Sequence, residues 1–130
     1  MTNAEIKADR GARRTKAAFD LEERTARFGI RVLTFAKKIP RDPVNSPLIS
    51  QLVRAATSVG ANYCEANDAV SKRDFRNKIG LRRKEAKETK HWLRMIGSAN
   101  DALKAEARGL WQEAKELNLI FSRIFRSSEV

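Results

Sequence analysis

The chain has 130 residues, with 27 Lys and Arg against 16 Asp and Glu, for a net charge of +11. That length suits one domain with its own hydrophobic core, and so large a positive charge favours polyanionic partners. A single cysteine excludes an intramolecular disulfide and suits a reducing cytoplasm, while no apolar run reaches the length of a membrane span or forms a signal-peptide core.

Residues 1–18 are polar and basic, without a clear period, and are expected to form a flexible N-terminal arm ahead of a domain at 19–130. The first helix is predicted to start at Asp20, which can cap, with Glu23 three residues on as in a capping box. Leu21, Phe28, Val32, Phe35 and Ile39 give it one apolar face, and Pro40 and Pro43 end it.

Ser46-Pro47 predicts the second helix start, a capping residue followed by proline in the first turn. This helix is expected to reach about Val70, burying Leu48, Leu52, Ala55, Val59, Tyr63 and Ala66. Ser71 is predicted to cap the third helix, with Asp74 three residues later. Gly97 or Asn100 is expected to end it in a left-handed cap. The fourth helix is placed at 101–126, with Leu103, Leu110, Leu117, Ile120, Ile124 and Phe125 on its apolar side and Gly109 weakening its first half. Four long helices joined by short loops predict an all-α, antiparallel up-down-up-down four-helix bundle.

On a helical wheel, Arg54, Ser58, Asn62 and Glu65 form a polar stripe roughly 80° wide that borders the apolar face of the second helix. In the third helix, Glu85 and Thr89 fall between one apolar side of Phe75, Ile79, Ala86 and Leu93 and another of Leu81, Trp92 and Ile96. A buried carboxylate needs a partner. Arg54 is the preferred one, with Lys78 or Arg82 as local alternatives. These six positions, Arg54, Ser58, Asn62, Glu65, Glu85 and Thr89, are read as a structural polar network that fixes helix register.

Residues 72–94 hold ten Lys and Arg and three Asp and Glu, whereas residues 98–130 net zero. Lys72, Arg76, Arg83, Lys87, Lys90 and Arg94 fall within roughly 60° of one another on the wheel. Like charges in one stripe repel, so phosphates or acidic groups of another subunit would relieve them. A nucleic-acid-binding face and a solvated face are both open readings.

Chemistry-bearing patterns are sparse. His91 is alone and reads as a surface or interface residue, and Cys64 lacks a histidine to activate it. No zinc spacing or phosphate-binding Gly-rich loop occurs, so no cofactor and no metal are expected. Trp92 and Trp111 read as core, which leaves no aromatic platform for base stacking. A nuclease using Glu65, Glu85 or Glu88 with a metal would lack the Glu-x-x-His set of bundle metal sites, and the chain is expected not to be an enzyme.

Three stretches carry a resemblance: Phe19-Asp20-Leu21-Glu22; Thr57-Ser58-Val59-Gly60-Ala61-Asn62-Tyr63 with Glu65-Ala66; and Lys84-Glu85-Ala86-Lys87-Glu88-Thr89 with Trp92-Leu93, preceded by Phe75. With them, residues 19–126 resemble the four-helix bundle proteins related to those encoded in intervening sequences of bacterial large-subunit ribosomal RNA genes. The resemblance implies a four-helix bundle that assembles into a ring, with a homopentamer as the expected state. Similar bundles serve as accessory factors of diversity-generating retroelements, where a basic pentamer is implied to bind nucleic acid and a reverse transcriptase. The chain departs from the pattern at Arg82 and Arg83, where small or apolar residues are usual, at His91, where tyrosine is common, and over 98–108.

Two functions follow as expectations. One is a cytoplasmic, non-enzymatic, homo-oligomeric accessory protein that binds RNA or DNA backbone through the third helix. The other is a protein-interaction scaffold whose ring assembly is the function.

Overall fold

The structure, a computed structural model, describes residues 3–129, with the side chains of residues 16, 19–61, 63 and 66–129. Four α-helices run in chain order: α1 Asn3–Ala36, α2 Asn45–Asn67, α3 Lys72–Ala99 and α4 Lys104–Ser127, with a 3-10 turn at Asp101–Leu103 before α4. No strand occurs among the described residues. The fold is all-α, and α3 packs extensively on both α2 and α4, whereas α1 leans mainly on α2 and only sparsely on α4.

One spacing builds the core. On that spacing lie the buried Thr25, Phe28, Val32, Phe35 and Ile39 from the first helix and the turn after it, and Leu52, Ala56, Val59, Tyr63 and Ala66 from α2, with Ala36 and Ala55 buried beside the series. From α3 come Ile79, Arg82, Ala86, Thr89, Leu93 and Ile96, and from α4 Ala107, Leu110, Ala114, Leu117 and Phe121. Every set alternates three- and four-residue steps, the seam of helices packed at a shallow angle with knobs in holes. Tyr63 and Phe121 meet inside it, their ring centroids 5.8 Å apart.

The seam explains a departure from the wheel reading of α3. Arg82 was expected only to border the apolar face, yet it is fully buried, because 82 lies on the three-four series between Ile79 and Ala86. Position decides burial here, and the guanidinium is engaged there rather than left alone. Leu81, expected on the apolar face, lies off the series and is 50% exposed.

The helix ends also differ from expectation. The first helix starts at Asn3, not Asp20, so the segment 3–18 has helical backbone. Its many Ala, Lys, Arg and Glu residues are good helix formers, and no proline interrupts them. The second helix starts at Asn45, so Ser46 lies inside it and does not cap. Asp42 caps instead, its Oδ1 accepting from the Val44 and Asn45 backbone N–H groups at 3.0 and 2.7 Å. It ends at Asn67, three residues before Val70. Ser71 caps α3 as expected, its Oγ accepting from the Asp74 N–H at 3.0 Å.

The expected left-handed cap at Gly97 or Asn100 is absent, since no described residue has positive φ. Asn100 ends α3 at φ −139°, with its side-chain amide donating to the Ile96 carbonyl at 2.9 Å. Asn100 and buried Asn45 also exchange two amide hydrogen bonds, of 3.0 and 2.9 Å, which tie the two turns at this end of the bundle.

Glycines set two close approaches. A Cβ at Gly60 would lie 3.3 Å from Thr25 Oγ1, so α1 and α2 touch there. A Cβ at Gly80 would lie 3.1 Å from the Phe125 ring, which rests on α3 at that point. Gly109 differs, because nothing lies within 4 Å of its would-be Cβ although it sits inside α4. Gly109→Ala should therefore raise stability by about 0.5–1 kcal/mol, measured by urea or thermal unfolding. A loss of stability would show that this position is covered by something the isolated chain lacks.

Candidate nucleic-acid interface

The candidate site is built by two facts about charge: where the carboxylates of α3 and α4 go, and what is left on their outer side. Arg54 of α2 reaches across to α3, with Nη1 donating to Glu85 Oε2 at 3.3 Å and Nη2 to Glu88 Oε2 at 2.6 Å. These bonds, the one to Glu88 foremost, raise the Arg54 pKa above its ordinary value. Asp74 pairs with Lys78 within α3.

On α4, Glu113 and Glu116 both bind Arg24 of α1, and Glu106 binds Lys38 just beyond α1 at 2.9 Å. Arg24 Nε and Nη2 hold the two Glu113 oxygens at 2.9 and 2.7 Å, a bidentate pair, and Nη2 also reaches Glu116 at 2.7 Å. So every carboxylate of α3 and α4 is engaged, five of them by cations of the other two helices or the turn after α1.

Of the six polar-network residues, the structure brings together Arg54 and Glu85, and adds Glu88, which sits one turn further along the same helix. Thr89 is fully buried, but its hydroxyl donates back to the Glu85 carbonyl at 2.8 Å. Ser58 does the same to the Arg54 carbonyl at 2.6 Å, so it takes no part in a cross-helix network. In both cases a helical hydroxyl is within reach of its own preceding turn. The side chains of Asn62 and Glu65 lie outside the described residues.

The basic stripe has two layers. Arg76 and Arg83 lie over the Phe125 ring, 3.8 and 4.1 Å from its centroid, on the turns either side of Gly80. The Lys90 ammonium is 5.4 Å from the Trp111 centroid, with Lys115 at 5.6 Å. These three stripe residues are half-buried along the α3–α4 seam. Lys72, Lys87 and Arg94 are exposed. Among the described residues, none of the six is in an ion pair, and neither is any Lys or Arg of α4.

The sequence profile of the 23S rRNA-intervening sequence protein family matches residues 19–123. The chain belongs to this family. A solved structure from the S23 ribosomal protein family of Bacteroides thetaiotaomicron VPI-5482, described as a protein of unknown function, shares 26% identity and the fold, with a TM-score of 0.73. The match covers 84% of this chain and 97% of that one. No curated protein matches significantly. Neither the family description nor the solved relative carries a catalytic assignment.

In this family member, no group of three or more His, Cys, Asp or Glu among the described residues is placed to hold a metal ion. No described helix is long and apolar enough to cross a membrane. His91 is exposed, with its ring edge-on to Trp92 at 4.8 Å. Trp92 and Trp111 both pack against the core, but Trp111 also lines a surface groove, which the reading of both as core missed.

The hydrogen bond from Arg24 holds the Glu113 carboxyl below its ordinary value of 4.5 and raises the arginine in return. A carboxylate with a depressed folded pKa adds stability above its unfolded pKa and loses it as pH falls through the folded one. Glu113→Gln should cost about 1 kcal/mol at neutral pH. That difference from the parent should shrink as unfolding is repeated at pH values descending below 4.5. A pH-independent difference would mean that packing, not charge, holds Glu113.

Proposed function

We propose that this chain is a cytoplasmic, non-enzymatic accessory protein that assembles as a homo-oligomer, a homopentamer on the family pattern, and binds nucleic-acid backbone through the outer face of α3. The observation that carries this reading is the one-sided charge. The carboxylates of α3 and α4 are all ion-paired, and among the described residues Lys72, Arg76, Arg83, Lys87, Lys90 and Arg94 are in no ion pair. Phosphates supply the missing counter-charge, and contacts of this kind bind with little sequence preference. The family description, which ties its members to intervening sequences of 23S rRNA, agrees with RNA as the polyanion.

A separate observation supports assembly. Ile30 and Leu33 of α1 are 62% and 40% exposed, beside a groove of about 330 Å³ floored by Gly29 and Gly60. Exposed apolar side chains around a groove suit a protein contact. The same surface is what a pure scaffold would use, so the two readings divide at the basic face alone.

Fluorescence anisotropy with labelled RNA over a range of salt concentrations tests the reading. The logarithm of the affinity should fall linearly with the logarithm of salt. In Lys72→Glu/Lys87→Glu, at two exposed positions, affinity should fall and the slope should lessen by about one per lost contact. Unchanged affinity in this variant would remove α3 as the site. An RNA that fails to bind the parent at low salt would leave the scaffold.

A further inference from the structure

The basic stripe ends in a groove that a phosphate backbone alone does not explain. It lies where the last turns of α3 meet the first turns of α4, and its volume is about 520 Å³. That falls within the range of small-molecule sites. Its floor is small and apolar. Gly97 and Ala107 meet there so closely that a Cβ on Gly97 would lie 3.3 Å from the Ala107 Cβ, and Leu93 continues the floor. With so little side-chain volume at the seam, the outer side of the contact is a trough.

Trp111 forms part of the wall, half-buried and in contact with the groove. Arg94, Lys104 and Arg108 also line it, all three exposed and none in an ion pair among the described residues. An indole beside an apolar floor selects a flat, weakly polar ring, and the three cations select an anion attached to it. A free phosphate would leave the indole unused. A duplex keeps its base faces stacked inside, away from Trp111.

We propose that this groove takes one unstacked nucleotide of a single strand, with the base against Trp111 and its phosphates among Arg94, Lys104 and Arg108. Arg94 belongs both to the stripe and to the groove, so a strand held along α3 runs directly into it. From residue 72 to residue 94, α3 rises roughly 33 Å, enough to track several nucleotides before the base is captured. Stacking on one aromatic side chain tolerates any base, so the groove confers a preference for single strands without reading sequence.

The inference rests on the nucleic-acid reading above, and one experiment separates their failures. Anisotropy titrations compare a short single-stranded RNA with its duplex, on the parent, Trp111→Leu and Arg94→Gln/Arg108→Gln. Circular dichroism checks that each variant is folded. Trp111→Leu should lose about tenfold in single-strand affinity, the scale of one stacked base, with little change for duplex. Arg94→Gln/Arg108→Gln should also lose more for the single strand than for the duplex. In Trp92→Phe, where Trp111 is the only indole, single-stranded RNA should quench the emission.

Single strand bound as tightly by folded Trp111→Leu as by the parent, with unquenched Trp111 emission, would overturn the groove and leave backbone binding on α3 standing. Should Trp111→Leu fail to fold, the quenching and the arginine variant decide by the same rule. Failure of the parent to bind either RNA would overturn both readings.

Discussion

The arrangement of this molecule depends on where the carboxylates of α3 and α4 are held. Arg54 draws Glu85 and Glu88 toward α2, and Arg24 and Lys38 draw Glu113, Glu116 and Glu106 toward the α1 side. These pairs bridge helices, including α1 and α4, whose direct packing is sparse. They also draw these five carboxylates toward cations of α2, α1 and the turn after α1 rather than toward the basic stripe. Each is worth little as an isolated surface pair, and the bidentate, half-buried Arg24–Glu113 pair is the strongest of them. Their larger consequence is electrostatic asymmetry. A chain whose last 33 residues net zero still presents a positive α4 surface, because its acids and bases face different ways.

Aromatic side chains shape the positive face that remains. Phe125 settles on α3 where Gly80 leaves room, and Arg76 and Arg83 lie over its ring. Lys90 and Lys115 approach Trp111 in the same manner. Cation–ring contacts hold these long side chains against the seam without neutralising them. Half of the stripe thus lies against the seam, and half is exposed to solvent.

Most of the fold was legible in the sequence because the seam is written in spacing. Phe28, Val32 and Phe35, or Leu110 and Leu117, are apolar at the right steps and needed only a wheel. Arg82 was misplaced because chemistry was weighed above position, although the series 79, 82, 86, 89, 93, 96 was there to read. The start at Asp20 failed for a local reason: a capping sequence marks where a helix can begin, but Ala-rich residues with interspersed Lys and Arg before it can carry the helix further back. Asp42 was missed as a cap because Ser46-Pro47 offered a stronger local pattern. The Arg54–Glu85 contact followed from the cost of a bordering carboxylate between antiparallel helices. The groove at Trp111 was not legible, since Gly97 and Ala107 are ordinary small residues until α3 and α4 are set side by side.

The central claim is that the outer face of α3 and α4 binds a polyanion. Hydrogen–deuterium exchange of the intact protein, with and without single-stranded RNA, tests it most directly because it maps the contact without substituting any residue. The account predicts slower exchange in peptides from residues 72–94 and 104–115, with α2 unchanged. Protection confined to α1 and α2, or none at RNA concentrations that saturate anisotropy, would contradict it.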